Sequence, residues 1–136
     1  MLVVDASAVA ELLLDLSGGD EVRRWIARHG YELYAPELID LEVLSVLRRK
    51  VSAGDATEDR AAEAVQDLSD LPIGRFRHGI LIDRIWDLRQ NFTPYDAAYL
   101  ALAEALTDAG IPILTADGRY ARAIESHTAV DVIHVG

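Results

Sequence analysis

Short apolar runs alternate with longer amphipathic segments along the whole chain. The short runs are bounded by polar or turn-forming residues, and the longer segments repeat their apolar positions at spacings of three and four residues, which is typical of helices. The predicted strands are residues 2–4, 33–35, 71–76, 111–115 and 130–135. The predicted helices are residues 8–16, 20–29, 37–51, 57–68, 78–90, 93–108 and 119–126.

This alternation predicts an α/β fold with a central parallel sheet of about four to five short strands covered by helices. Parallel neighbours need long crossover connections, and the predicted helices supply them. No linker, repeat or low-complexity tract interrupts the pattern, so residues 1–136 are expected to form a single domain. In such folds ligands bind outside the carboxyl ends of the strands.

The composition is that of a folded protein, with 51% hydrophobic and 26% charged residues. The absence of Cys excludes disulfides, thiolate nucleophiles and Cys-ligated zinc, and it favours a reducing compartment. No apolar run is long enough for a membrane span, and Asp5 interrupts the first apolar run of a chain whose start carries no basic residue. We therefore expect a cytoplasmic protein that is neither inserted in a membrane nor exported.

The net charge of −10 taken alone opposes a nucleic-acid partner, because long-range repulsion would slow the approach of a polyanion. A cluster of carboxylates that binds divalent cations would change the local sign of charge. The acidic residues must therefore be divided into those that are exposed to solvent and those that converge on one site.

Four acidic residues fall where the predicted fold places ligands. Asp5 ends the first strand, and Asp117 follows the strand that ends at residue 115. Asp96 lies in the first turn of a helix opened by Thr93, and Glu42 lies at the border of the apolar arc of its helix, where an acid needs a partner. Taken singly, each has a common structural explanation as a turn, capping or helix-border residue.

Taken together, these acids match the oxygen-only ligand set that Mg²⁺ or Mn²⁺ prefers. Carboxylates that converge repel one another, so at least one should have a raised pKa without metal. Asp40 is the one rival acid, and its place near a helix start favours a role in complementing the helix dipole.

Four segments of the chain resemble, in order, the four motif blocks of PIN-domain proteins of the VapC toxin type. They are Leu2-Val3-Val4-Asp5-Ala6-Ser7-Ala8, Pro36-Glu37-Leu38 with Glu42-Val43, Thr93-Pro94-Tyr95-Asp96-Ala97-Ala98-Tyr99-Leu100-Ala101-Leu102-Ala103, and Leu114-Thr115-Ala116-Asp117. The resemblance extends over nearly the whole chain, and the order and separations of the blocks make a chance match improbable.

The resemblance implies a three-layer α/β/α fold and a Mg²⁺-dependent endoribonuclease, with Mn²⁺ able to substitute. It implies the toxin of a toxin–antitoxin pair, which cleaves RNA, forms a homodimer and is captured by a small antitoxin. Its acidic positions, catalytic and metal-binding, correspond to Asp5, Glu42, Asp96 and Asp117. Thr115 matches a hydroxyl position of the last block, and Ser7 is either a further site hydroxyl or the N-cap of the first helix.

Other residues have weaker functional interpretations. The basic run Arg48-Arg49-Lys50 could contact RNA, although complementing the helix dipole is the commoner role of such a turn. Tyr95 could stack on a base, whereas Tyr99 and Trp86 have the spacing of core residues.

Two other functions compete with a nuclease. A phosphate-transfer receiver would need an acidic pair after the first strand and a Lys near the last strand, but Ala6 follows Asp5 and the only Lys is Lys50. A dehalogenase-type phosphatase would need Asp at the position of Ser7. A non-catalytic α/β domain with structural acids stays open, and metal binding distinguishes it from a nuclease.

Overall fold

A computed structural model describes residues 1–136 of the chain, which form five strands and seven helices. The strands are β1 Leu2–Val4, β2 Leu33–Pro36, β3 Ile73–Phe76, β4 Ile113–Thr115 and β5 Val132–His134. The helices are α1 Ala6–Leu13, α2 Gly19–Arg28, α3 Ile39–Ser52, α4 Glu58–Asp70, α5 Ile82–Asp87, α6 Pro94–Ala105 and α7 Gly118–His127. A short 3-10 turn, His78–Leu81, precedes α5.

The strands form one parallel sheet in the order β3-β2-β1-β4-β5. Val3 pairs with Tyr34 of β2 on one side and with Ile113 of β4 on the other. All three strands of this central trio are almost entirely apolar and buried, as expected for a sheet covered on both faces. The predicted parallel α/β sheet is confirmed, with five strands.

The direction of winding reverses between β1 and β4. From β1 the chain winds outward through β2 to β3, and it then returns to place β4 on the opposite side of β1. The connection that leaves β1 and the connection that leaves β4 therefore run over opposite faces of the sheet. This arrangement opens a crevice at the carboxyl ends of β1 and β4. Asp5 and Asp117 lie at this edge.

The helices complete a three-layer α/β/α architecture. Right-handed crossovers place α1 to α4 on one face of the sheet and α5 to α7 on the other. The packing agrees, because α1 contacts α2, α3 and α4, whereas α5 packs on α6, and α6 packs on β1 and β2. The buried apolar side chains form one cluster that extends from Leu2 to Val135. None of the helices combines the length and apolarity that crossing a bilayer requires.

The main departure from the predicted elements is at residues 78–90. A 3-10 turn and the short helix α5 occupy this segment in place of one long helix. Trp86 is 65% exposed, so its assignment to the core is wrong. Its ring packs under the Arg89 guanidinium, 4.5 Å from the ring centroid. Helical spacing alone could not distinguish this surface contact from burial, since α5 has no buried residue.

Candidate active site

An open cleft of about 450 Å³ lies at the carboxyl ends of the central strands. It is lined by side chains from α1, α3, α6 and α7 and from the residues directly before α1, α3 and α7, and all four predicted acids are among them. The lining residues are Asp5, Ala6, Ser7, Leu38, Leu41, Glu42, Ser45, Val46, Arg49, Tyr95, Asp96, Tyr99, Asp117 and Tyr120. We call this feature the acidic cleft.

Asp5 is buried at the end of β1, and its carboxylate is held by three donors. Its Oδ1 accepts from the Ser7 hydroxyl at 2.7 Å and from the Ala8 backbone N–H at 3.0 Å. Its Oδ2 accepts from the Thr115 hydroxyl at 2.5 Å. These contacts fix the orientation of the carboxylate within the cleft.

Ser7 does not cap the first helix, so that interpretation of its role is wrong. The N-cap of α1 is Asp5, whose side chain accepts the Ala8 N–H. The Ser7 hydroxyl instead joins the start of α1 to the segment after β4, because it donates to Asp5 and accepts from the Ala116 N–H at 2.8 Å. Thr115 has a matching arrangement, since its hydroxyl donates to Asp5 and accepts from the Asp117 N–H at 3.0 Å. Both hydroxyls therefore support the site.

Burial raises the pKa of Asp5 to about 6. The hydrogen bonds from Thr115, Ala8 and Ser7 oppose this shift, and the nearby charge of Asp117 adds to it. The expectation of a raised pKa without metal is confirmed in direction, but removal of the carboxylate from water contributes more than mutual repulsion does.

Asp96 has a capped backbone and an unpartnered carboxylate. Its N–H donates to the Thr93 hydroxyl at 3.2 Å, which confirms Thr93 as the N-cap of α6. The Asp96 side chain does not return a hydrogen bond to Thr93, so the two residues do not form a reciprocal capping box. Burial raises the pKa of Asp96, and the charges of Glu42 and Asp117 raise it further. Because this carboxylate has no hydrogen-bond partner and is repelled by nearby acids, it is available to bind an added cation.

Glu42 finds the partner that its position on α3 requires. The buried Tyr99 donates its hydroxyl to Glu42 Oε1 at 2.6 Å. Burial, and then this bond to a carboxylate, hold the pKa of Tyr99 far above its usual value, so the phenol stays a donor. The core assignment of Tyr99 is confirmed, but its hydroxyl was missed. The available signal was its place one helical turn after Asp96, on the same face of α6.

Asp117 combines a structural contact with an open oxygen. It is the N-cap of α7, and its Oδ1 accepts from the N–H groups of Arg119 and Tyr120 at 3.0 and 3.2 Å. Its Oδ2 has no hydrogen-bond partner in the chain. The Tyr120 hydroxyl donates to the Asp96 carbonyl oxygen at 2.7 Å and thereby joins α7 to α6. This second tyrosine was also missed by sequence reasoning.

Asp40 is directed away from the cleft. It lies in the first turn of α3, as expected, and its carboxylate forms an ion pair with Arg75 of β3. Both Arg75 Nε and Nη2 donate to it, at distances of 2.8 to 3.0 Å. Because both oxygens are engaged and no cleft residue is involved, Asp40 is excluded from the candidate site.

The donor chemistry of the cleft fits a hard divalent cation. Its ionisable ligands are four carboxylates, accompanied by hydroxyls and without imidazole or thiol groups. Asp96 and Asp117 keep unpartnered oxygens. No group of three or more acidic or histidine side chains is arranged as a ready-made metal site, however. The acids that would hold an ion are Asp5, Glu42, Asp96 and Asp117, and their final geometry would have to form around it.

Comparison with known proteins identifies the family. The sequence model of the PIN domain matches residues 2–125. Ribonuclease VapC12 of Mycobacterium tuberculosis is 32% identical over 133 residues, which are 98% of this chain and 99% of that protein. Ribonuclease VapC1 of the same species is 40% identical over 122 residues, which are 89% of each chain.

A solved structure has the same fold. The crystal structure of Mycobacterium tuberculosis VapC20, a sarcin-ricin loop cleaving toxin, superposes with a TM-score of 0.66 at 18% identity. The match covers 90% of this chain and 95% of that one. With the PIN-domain model matched over residues 2–125 and curated relatives at 32–40% identity over most of both chains, this chain belongs to the PIN-domain family of VapC ribonucleases.

Proposed function

We propose that this chain is a Mg²⁺-dependent endoribonuclease, with Mn²⁺ able to substitute, that acts as the toxin of a toxin–antitoxin pair. One observation supports it above the others. Four carboxylates line a single cleft at the carboxyl ends of β1 and β4, and no imidazole or lysine amine lines it to act as a general base. Hydrolysis there would use the carboxylates and a water activated by metal rather than an imidazole or amine base.

The acids have distinct states that suit this role. Asp5 is held by Ser7 and Thr115, and Glu42 is held by Tyr99, so both would present oxygens in defined directions. Asp96 and Asp117 would complete the ligand set with their unpartnered oxygens. When bound, Mg²⁺ supplies positive charge against the scissile phosphate and lowers the pKa of a water.

The proposed reaction is tested by incubating the purified chain with total RNA in Mg²⁺, in Mn²⁺ and in EDTA. Cleavage should require the divalent ion. Asp5→Asn and Asp96→Asn should each abolish it, whereas the matched control Asp40→Asn should not. The same cleavage pattern with chelator, or full activity in both cleft variants, would contradict a metal-dependent mechanism and favour a domain with structural acids.

The proposed partners are a second copy of this chain and a small antitoxin, as expected for a VapC toxin. Support comes from apolar side chains that the fold leaves uncovered on α3 and α4. Leu44 of α3 is 40% exposed and Val65 of α4 is 41% exposed, and Leu41, which also lines the acidic cleft, is 70% exposed. Uncovered apolar surface of this kind marks a protein-binding face.

Two measurements test these partners. Size-exclusion chromatography with light scattering should give a dimer at tens of micromolar, and a strict monomer would contradict self-association. Expression in bacteria should arrest growth, and expression of the small reading frame encoded next to this gene should relieve the arrest. Growth arrest that persists when this reading frame is expressed would contradict the antitoxin assignment.

A further inference from the structure

Two side chains of the acidic cleft have no role in holding the carboxylates. Arg49 lies on α3 seven residues after Glu42, which is two helical turns along the same face. Tyr95 lies on α6 directly before Asp96. Both line the acidic cleft.

Arg49 is the only basic residue that lines the cleft, and it is unpaired. Four of the twelve arginines, Arg23, Arg60, Arg75 and Arg84, form an ion pair with an acid, so it is the position of Arg49 in the cleft that distinguishes it from the other unpaired arginines. The Arg49 guanidinium forms none, even though four acids line the same cleft. A guanidinium in this position is free to bind an anion from outside the chain, and its planar donors suit a phosphate.

Tyr95 has no hydrogen-bond partner for its side chain, unlike the other two tyrosines of the cleft. Tyr99 and Tyr120 are buried, and their hydroxyls donate to Glu42 and to the Asp96 carbonyl. Tyr95 is 63% exposed, its hydroxyl makes no hydrogen bond and its ring packs on no other aromatic ring. An open aromatic face at the mouth of a cleft offers a stacking surface to a planar group.

We propose that Arg49 and Tyr95 form a subsite for one unpaired nucleotide of the RNA, with Tyr95 stacking on the base and Arg49 binding its phosphate. This inference rests on the proposed ribonuclease function. An unpaired nucleotide next to the scissile phosphate supplies both the planar group and the anion.

The test is binding of a short, fluorescein-labelled, single-stranded RNA of mixed sequence, followed by anisotropy over a range of salt concentrations. All proteins carry Asp96→Asn, which blocks turnover and removes one repelling charge. Arg49→Gln and Tyr95→Leu are compared with matched controls. Arg48→Gln removes the neighbouring cation, which does not line the cleft, and Tyr31→Leu removes a tyrosine that is 67% exposed at the opposite end of the sheet.

Arg49→Gln should weaken binding about tenfold and reduce the slope of log K against log salt by about 0.7, because one phosphate contact to a single strand is lost. Tyr95→Leu should weaken binding about tenfold without changing that slope, and Tyr95→Phe should restore the affinity. Arg48→Gln and Tyr31→Leu should each change the affinity less than about threefold.

The inference is overturned if the cleft variants bind RNA as their matched controls do. It is also overturned if they bind RNA normally but lose self-association, because Arg49 and Tyr95 would then belong to a protein-docking surface. The inference is overturned as well if the Asp96→Asn protein without further substitution binds no RNA. Cleavage of total RNA by the unsubstituted chain, measured in parallel, shows whether the proposed function fails with it.

Discussion

The Tyr99 hydroxyl donates to Glu42 Oε1 across 2.6 Å and joins α6 to α3, which belong to opposite layers of the fold. Tyr99 follows Asp96 by one helical turn. The orientation of Glu42 is therefore set from the helix that carries Asp96. Two acids that are far apart in the sequence are coupled by one buried phenol.

Tyr99→Phe should weaken Mn²⁺ binding and slow RNA cleavage, each by about tenfold or more, because Glu42 loses the donor that orients it. Calorimetric titration with Mn²⁺ and the rate of RNA cleavage measure the two effects. The matched control is Tyr34→Phe, since the Tyr34 hydroxyl makes no hydrogen bond, and it should bind Mn²⁺ as the wild type does. Wild-type affinity and rate in Tyr99→Phe would refute the coupling.

Asp96→Asn should leave the melting temperature of the metal-free chain unchanged or raise it. The substitution removes a half-buried carboxylate that has no partner and that is repelled by Glu42 and Asp117. The opposing loss of an acid at a helix N-terminus is only about 0.3–1 kcal/mol. Melting followed by circular dichroism in EDTA checks the sign.

Mn²⁺ should stabilise the wild type by about 2.7 kcal/mol at a hundredfold excess over Kd, provided that the unfolded chain does not bind it. Asp96→Asn should abolish most of this shift in melting temperature. Asp40→Asn should retain it, because Asp40 lies outside the cleft. No shift in the wild type, or loss of the shift in Asp40→Asn alone, would show that the acids are assigned wrongly.

The stability of the metal-free chain should depend on pH through Asp5. Its pKa is about 6 in the folded chain against a reference value of 3.8, so the folded state binds the proton more tightly than the unfolded state does. The Asp5 contribution to the free energy of unfolding is therefore greatest below about pH 4, falls as pH rises through 6, and is constant above that. The total change is about 3 kcal/mol.

Urea denaturation in EDTA between about pH 4 and 8 measures this dependence, and Asp5→Asn is the comparison because it cannot titrate. The free energy of unfolding of the wild type relative to Asp5→Asn should fall across this interval. A difference that is independent of pH would contradict the buried, raised-pKa state of Asp5.

The ion pair between Asp40 and Arg75 should stabilise the fold without affecting catalysis. It joins α3 to β3 through two guanidinium nitrogens, and both side chains are partly buried. A double-mutant cycle of Asp40→Asn and Arg75→Gln should give a coupling energy of about 1 kcal/mol by urea denaturation. RNA cleavage should match the wild type in all three proteins, and a loss of activity in Asp40→Asn would show that this acid had been wrongly excluded.

The elements and most of the acidic cleft follow from the order of residues along the chain. Strand and helix periods, the Thr93 cap and the positions of Asp5 and Asp117 after strands are local properties, which neighbouring residues specify. The ordered motif blocks extended this local information to Glu42 and Asp96. For these reasons the parallel sheet and the convergence of the acids could be predicted.

The side chains that support the acids are set by the packing of distant segments. Ser7 has the sequence position of a helix cap, but Asp5 caps the helix and Ser7 contacts Ala116. Thr115 reaches Asp5 across 110 residues only because β4 lies beside β1. Such contacts depend on strand order and helix packing, which bring together positions that no local pattern relates. Trp86 shows the same limit, since its helical spacing is correct but no layer of the fold covers it.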